Sequence, residues 1–260
     1  MDINRQFEEF MMSKNYCKST MQSYTSYLRI FVERYGLRLN RVSEKEITSY
    51  LSTLTPSVVK QNVGMLKILY CDVLGQKKKS IKFIYPKREK KLPQPIDKSF
   101  LLMKINKIPN LKHKAIISLG FSVGMRVSEV INLKISDIDS KRMLIKVNQG
   151  KGKKDRYLPL TENVLSLLRE YFQKYRPKEF LFNGQNSIKY SPTSCNQIVK
   201  KYIGNTYHFH QLRHSCFTSL HESGVSLRNI QVLAGHSSSK TTEVYTKVSK
   251  MSLANLPLPI

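Results

Sequence analysis

Three short segments of this chain combine residue types that can hold an anion and act on it. Gly124 to Glu129 reads GMRVSE, His210 to Ser215 reads HQLRHS, and Ala234 to Tyr245 reads AGHSSSKTTEVY. Arg126 and Arg213 carry guanidinium groups, which stay charged and present a planar fork of donors to pairs of oxygens. His210 and Arg213 stand three apart in a helix-patterned segment, so their side chains can share one face. His236 follows Gly235 at a helix end, and Tyr245 comes nine residues later. A fourth segment, NQGKGKKDR, sets two glycines among cations, the pattern of a charged hairpin turn. Taken singly these signals are weak. Helix histidines usually satisfy local hydrogen bonds, and a lone tyrosine usually belongs to core or surface.

Composition narrows the partner. The 260 residues carry 44 Lys plus Arg against 18 Asp plus Glu, a formal charge of +26. Such an excess repels itself unless a polyanion neutralises it, and released counterions drive that binding. Nucleic acid is therefore favoured over a ribosome-associated role or a membrane surface. Cys17, Cys71, Cys195 and Cys216 have neither zinc nor CxxC spacing and read as reduced thiols of a cytoplasmic protein. His208, His210 and His214 cluster, but no carboxylate or Cys stands at metal-ligand spacing and Arg213 would repel a cation. No metal and no other cofactor is expected. The N-terminal residues lack an apolar signal core, and no apolar run reaches the roughly 18 residues of a membrane span.

The elements that must position these residues follow from periodicity. The first 75 residues read as helices. Ser19 opens one with Tyr24, Tyr27, Leu28, Phe31 and Tyr35 at helical spacing, ended by Gly36. Ser43 and Glu46 predict a capping box, and Thr55-Pro56 predicts a helix start, with the helix running to about Leu74. A Lys-rich, Pro-punctuated stretch follows, QKKKSIKFIYPKREKKLPQP, predicting a linker that lies against phosphates. Beyond Asp97 two helices precede Gly124, and another covers Val127 to Leu133. Strands are expected around Met143 to Val147, Tyr157 to Leu160 and Phe180 to Phe182, and helices over Glu162 to Tyr175, Pro192 to Ile203 and much of His210 to Tyr245. The fold class is mainly α with a small β-hairpin or sheet, divided as 1–78, linker 79–96 and 97–260.

The order Arg, basic hairpin, His-x-x-Arg, Gly-His, Tyr resembles the signature of the tyrosine recombinase, or phage-type integrase, family in its short two-domain form. The resemblance extends along nearly the whole chain. It implies a helical core-DNA-binding domain over 1–78, joined to a mixed α and β catalytic domain and closing with it around the duplex. Helix signals begin at once, leaving no room ahead of them for a further arm-site domain.

The family's chemistry implies roles for particular residues. Arg126 and Arg213 would grip the scissile phosphate, and His210 and His236 would hydrogen-bond to it. Tyr245 would attack phosphorus, giving a 3′-phosphotyrosyl bond and a free 5′-hydroxyl, so strands exchange between duplexes without metal or ATP. Lys151 would be the general acid, with Lys153 and Lys154 as rivals, and Glu129 would support the site. The resemblance further implies a homo-tetramer on paired DNA sites. Its tail, with Leu253, Leu256, Leu258 and Ile260 as anchors, packs either on its own domain or in a neighbour. Two other readings stay open: a type IB topoisomerase using similar chemistry as a monomer, and a DNA-binding regulator without catalysis.

Overall fold

In a computed structural model, residues 2–76, 94–148, 155–185, 187–236, 241–243 and 245 are described. The chain divides into two compact units, Met1–Lys90 and Lys91–Ile260. Most of the Lys-rich stretch, residues 77–93, lies outside the described residues, as do Lys151, Lys153, Lys154 and the tail from 246 onward. Among the described residues no helix is long and apolar enough to cross a membrane.

The first unit is helical: α1 (Ile3–Ser13), α2 (Lys18–Tyr35), α3 (Glu44–Ser52) and α4 (Pro56–Lys67). The expected capping box closes α3, with Glu46 N donating to Ser43 Oγ at 3.2 Å and Ser43 N to Glu46 Oε2 at 2.8 Å. Pro56 opens α4, where its missing N–H costs nothing. The helix expected to run on to Leu74 instead widens to π geometry over Ile68–Val73. Phe31 centres the core, its ring 4.7 Å from Tyr35, 5.0 Å from Tyr50 and 6.4 Å from Tyr70. The buried phenols keep hydrogen bonds, Tyr50 to Asn62 and Tyr70 to the Leu39 carbonyl, as burial requires.

The second unit contains α5 (Lys98–Asn106), α6 (Leu111–Ser122), α7 (Val127–Ile131), α8 (Glu162–Tyr175), α9 (Pro192–Tyr202), α10 (Phe209–Glu222) and α11 (Leu227–Ala234). Every residue of α6 from Ala115 to Phe121 is buried. A helix apolar on all sides belongs at the centre, and α6 packs against α8, α9 and α10. Short strands β1 (Ile138–Asp139), β2 (Leu144–Val147) and β3 (Arg156–Pro159) form an antiparallel sheet in the order β1-β2-β3. Ile145 faces Leu158, and Val147 faces Arg156. The strand expected at Phe180 to Phe182 reduces to one bridge, Lys134 with Phe180. Its apolar run reports burial, since all three residues are buried, and two backbone bonds, Ile135 N to Glu179 O and Leu181 N to Leu133 O, fix it.

Candidate active site

The site forms where the start of α7, the first turns of α10 and the end of α11 meet. Gly124 lies at φ +64°, and a Cβ there would stand 2.6 Å from the Phe217 ring. Only glycine fits both demands. The turn it makes puts Arg126 at the N-cap of α7 and leaves the Gly124 carbonyl to accept a hydrogen bond from Arg213 Nη1. Gly235, at φ +59°, closes α11 and turns the chain so that His236 follows the helix end.

The two arginines meet at one atom. Arg213 Nη2 donates to the Ala234 carbonyl at 2.5 Å, and Arg126 Nη2 donates to the same oxygen at 3.0 Å. Both guanidiniums thus sit at the C-terminal, negative end of the α11 dipole, which favours cations. Arg213 is 1 % exposed, and its guanidinium carbon lies 4.7 Å over the Phe217 ring. Burial and the neighbouring Arg126 charge push its pKa down to about 10, so it remains cationic at neutral pH.

Glu129 is the carboxylate among them. Its Oε1 accepts from Arg126 Nη1 and Arg156 Nη1, and its Oε2 from the Arg126 backbone N–H and Arg156 Nη2, each at 2.8 Å. Burial resists its ionisation most, but the bonds and charge of Arg156, with those of Arg126, outweigh it and hold its pKa down at about 2. Two guanidiniums therefore grip one carboxylate, and the charge of Arg213 nearby makes a third cation. A buried site with that surplus of cations suits an anion.

The imidazoles and the phenol adjoin this cradle. His236 Nε2 lies 3.4 Å from Arg213 Nη2, and its Nδ1 is 3.0 Å from Thr242 Oγ1. Tyr245 is 2 % exposed, with ring centroids 5.5 Å from Phe217, 5.9 Å from His214 and 6.5 Å from His236. Burial pushes the phenol up to about 12, against the charges of Arg213 and Arg126. His210 presents an exposed ring at the first turn of α10. Surrounding protein lowers its pKa first, and Arg213, His208 and Arg126 lower it further. Its ring meets His214 edge-on at 4.5 Å.

Of the residues predicted from sequence, Arg126, Glu129, His210, Arg213, His236 and Tyr245 gather here, while Lys151 lies outside the described residues. Sequence reasoning missed Arg156, Phe217 and Thr242, and treated His214 only as a possible metal neighbour. Arg156 stood in the cation-rich hairpin segment, but nothing local marked it as the partner of Glu129. Beside Arg126 opens a cavity of about 740 Å³, whose lining includes Asn132, Lys134, Lys146 and Lys189.

Residues 97–251 match the phage integrase family, and residues 3–80 match the N-terminal SAM-like domain of phage integrases. The chain belongs to the phage integrase family. Among similar proteins, tyrosine recombinase XerA of Pyrococcus horikoshii is 31 % identical over 97 % of this chain and 91 % of its own length. Tyrosine recombinase XerC of Staphylococcus epidermidis is 30 % identical over 95 % of this chain and 92 % of its own length. In fold, this family member is similar to the XerH site-specific recombinase bound to difH substrate, at a TM-score of 0.71 and 24 % identity, covering 90 % of this chain and 77 % of that one. A Tn1549 transposon integrase in complex with circular intermediate DNA gives a TM-score of 0.71 at 18 % identity, covering 94 % and 95 % of the two chains. The fold class read from the sequence, mainly helical with a small antiparallel sheet, is the one found.

Proposed function

We propose that this integrase family member is a site-specific DNA recombinase that cleaves and rejoins strands through Tyr245. The observation that carries the reading is the Ala234 carbonyl shared by Arg126 and Arg213. Two guanidiniums held on one acceptor, with a surplus of positive charge, suit the two non-bridging oxygens of a single phosphodiester. Charge builds on those oxygens in the transition state, so fixed cations there supply most of the catalysis.

In this reading Tyr245 Oη attacks phosphorus as the bond to the 5′-oxygen breaks. The phenol proton passes to His210, and Lys151 protonates the leaving 5′-oxygen, with Lys153 and Lys154 as rivals. His210 and His236 also hydrogen-bond to the phosphate. The 3′-phosphotyrosyl ester keeps the energy of the broken bond, so a 5′-hydroxyl from a second duplex reverses the attack without ATP, passing through a Holliday junction. A phenol pushed up to about 12 by burial is a poor nucleophile. DNA binding therefore has to draw Tyr245 from its seat toward the two arginines, which favour the phenolate.

Residues 1–78 serve as the core-DNA-binding domain, 79–96 as a basic strap on phosphates, and 97–260 as the catalytic domain. The lysines of the cavity beside Arg126 meet the flanking DNA backbone. Recombination proceeds in a homo-tetramer on two paired sites, in the cytoplasm, on the nucleoid, with the tail's Leu253, Leu256, Leu258 and Ile260 packing either on their own domain or in a neighbouring protomer. Incubation with a nicked DNA duplex that loses its 5′-hydroxyl fragment after cleavage tests this. Wild type accumulates a covalent protein–DNA adduct, and Tyr245→Phe binds the duplex but forms none. An adduct of equal yield in Tyr245→Phe would refute the assignment.

A further inference from the structure

Arg156 is spent entirely on protein. Its side chain is 10 % exposed. Nη1 and Nη2 form a fork onto the two oxygens of Glu129 at 2.8 Å each, and Nε donates to the Leu233 carbonyl at 2.9 Å. Arg126, by contrast, gives Glu129 one side-chain bond and its backbone N–H. The room for Arg156 is built in, since a Cβ on Gly235 would come within 3.1 Å of the Arg156 Cδ. Arg156 is also the first residue of β3, paired with Val147 at the end of β2, so it stands where the chain returns from the basic hairpin.

Two consequences follow from this placement. Glu129 is ionised and buried, and a carboxylate facing Arg126 alone would neutralise the charge needed for a phosphate. The fork from Arg156 supplies a second cation, so the net charge of the group stays positive. Glu129 is also gripped from two sides, which fixes the rotamer that holds Arg126 at its cap. The bond to Leu233 ties the same guanidinium to the last turn of α11, just ahead of Ala234, whose carbonyl both phosphate-directed arginines share.

We propose that Arg156 is a positioning residue for strand cleavage: it holds Glu129, and through it Arg126, while mooring the returning strand of the basic hairpin to the end of α11. The inference rests on the recombinase reading above. Arg156 touches no reacting atom. A displacement of the cradle by about 1 Å is enough to cost roughly 100-fold in rate.

The test uses the full chain and single-turnover adduct formation on the nicked duplex at saturating DNA, with the DNA dissociation constant measured in parallel. Arg156→Gln is expected to slow adduct formation about 100-fold, with the dissociation constant within about threefold of wild type. Its rate should also fall at a higher pH than that of wild type, because Glu129, still buried and facing Arg126 and the charge of Arg213, loses its strongest stabilising partner and is protonated more readily. Wild type keeps only the acid limb set by His210, since its Glu129 titrates near 2. In a Glu129→Gln background the same substitution should cost far less, because its main target is gone. Arg156→Lys keeps the charge without the fork and should be slowed about tenfold; it also serves if the Gln variant fails to fold. A wild-type rate in either variant, an equal loss in the Glu129→Gln background, or weakened DNA binding matching the lost rate would overturn the proposal. Absence of any adduct from wild type would instead sink the recombinase reading itself.

Discussion

The rings of His236 and Tyr245 lie nearly parallel, 11° between planes with centroids 6.5 Å apart. Their order depends on Thr242, which meets His236 Nδ1 at 3.0 Å through its hydroxyl and accepts the Tyr245 backbone N–H at 3.0 Å through its carbonyl. A single residue thus spaces the second imidazole and the phenol. His236→Ala should slow adduct formation by about 10- to 100-fold while leaving DNA binding nearly unchanged, as loss of one phosphate hydrogen bond predicts. Thr242→Val should give a smaller loss of the same kind. Single-turnover rates beside gel-shift affinities check both.

Gly124 offers a test of the turn that presents Arg126. Gly75 also has positive φ, +66°, but a Cβ there would meet nothing within 4 Å among the described residues. Gly75→Ala therefore isolates the backbone penalty, about 1 to 2 kcal/mol. Gly124→Ala adds a collision with the rigid Phe217 ring and should cost more stability and most of the cleavage rate. Urea unfolding of the two variants measures the difference.

Stability should fall on acidification in two windows. Burial lowers the His214 pKa to about 4, with the His210 and Arg213 charges adding to it, and its buried Nδ1 has no hydrogen-bond partner among the described residues. A base whose folded pKa is depressed is destabilising once the unfolded chain takes up the proton. Stability is therefore lost as pH falls from the usual 6.5 toward 4. Glu129, held at about 2, contributes stability that is complete above its ordinary 4.5 and lost as pH falls through 2. Melting temperatures of wild type should drop between pH 6.5 and 4, and those of His214→Gln should drop less in that window, the remainder belonging to His210, whose pKa is lowered as well.

The N-terminal unit hinges on Phe31, whose ring meets Tyr35, Tyr50 and Tyr70 and is fully buried. Phe31→Ala should remove about 3 to 5 kcal/mol from that unit. Limited proteolysis should then cut within residues 1–76 first, with the second unit the more resistant.

Local signals carried much of this structure. Ser43 with Glu46 and Thr55 with Pro56 marked helix starts because caps are made by residues close in sequence. The spacing of Arg126, His210, Arg213, His236 and Tyr245 marked the site because the motif order matches that of a known family. Arg156 stayed hidden because its partner Glu129 is 27 positions away, and a tertiary ion pair leaves no periodic trace. Phe217 read as ordinary core, and its work under Gly124 and Arg213 emerged only from packing. At Phe180 to Phe182 an apolar run told of burial and was silent on whether a ladder or loops provide it.

The most direct check of the central idea replaces the scissile phosphate by a methylphosphonate, which carries no charge. If Arg126 and Arg213 serve the same phosphodiester, removing either one leaves too little positive charge for a phosphate but enough for the neutral analogue. Arg126→Ala and Arg213→Ala should each cleave the methylphosphonate strand substantially faster than the ordinary one, at the same position. Contradiction would come if only one of them, or neither, regained cleavage on the neutral linkage.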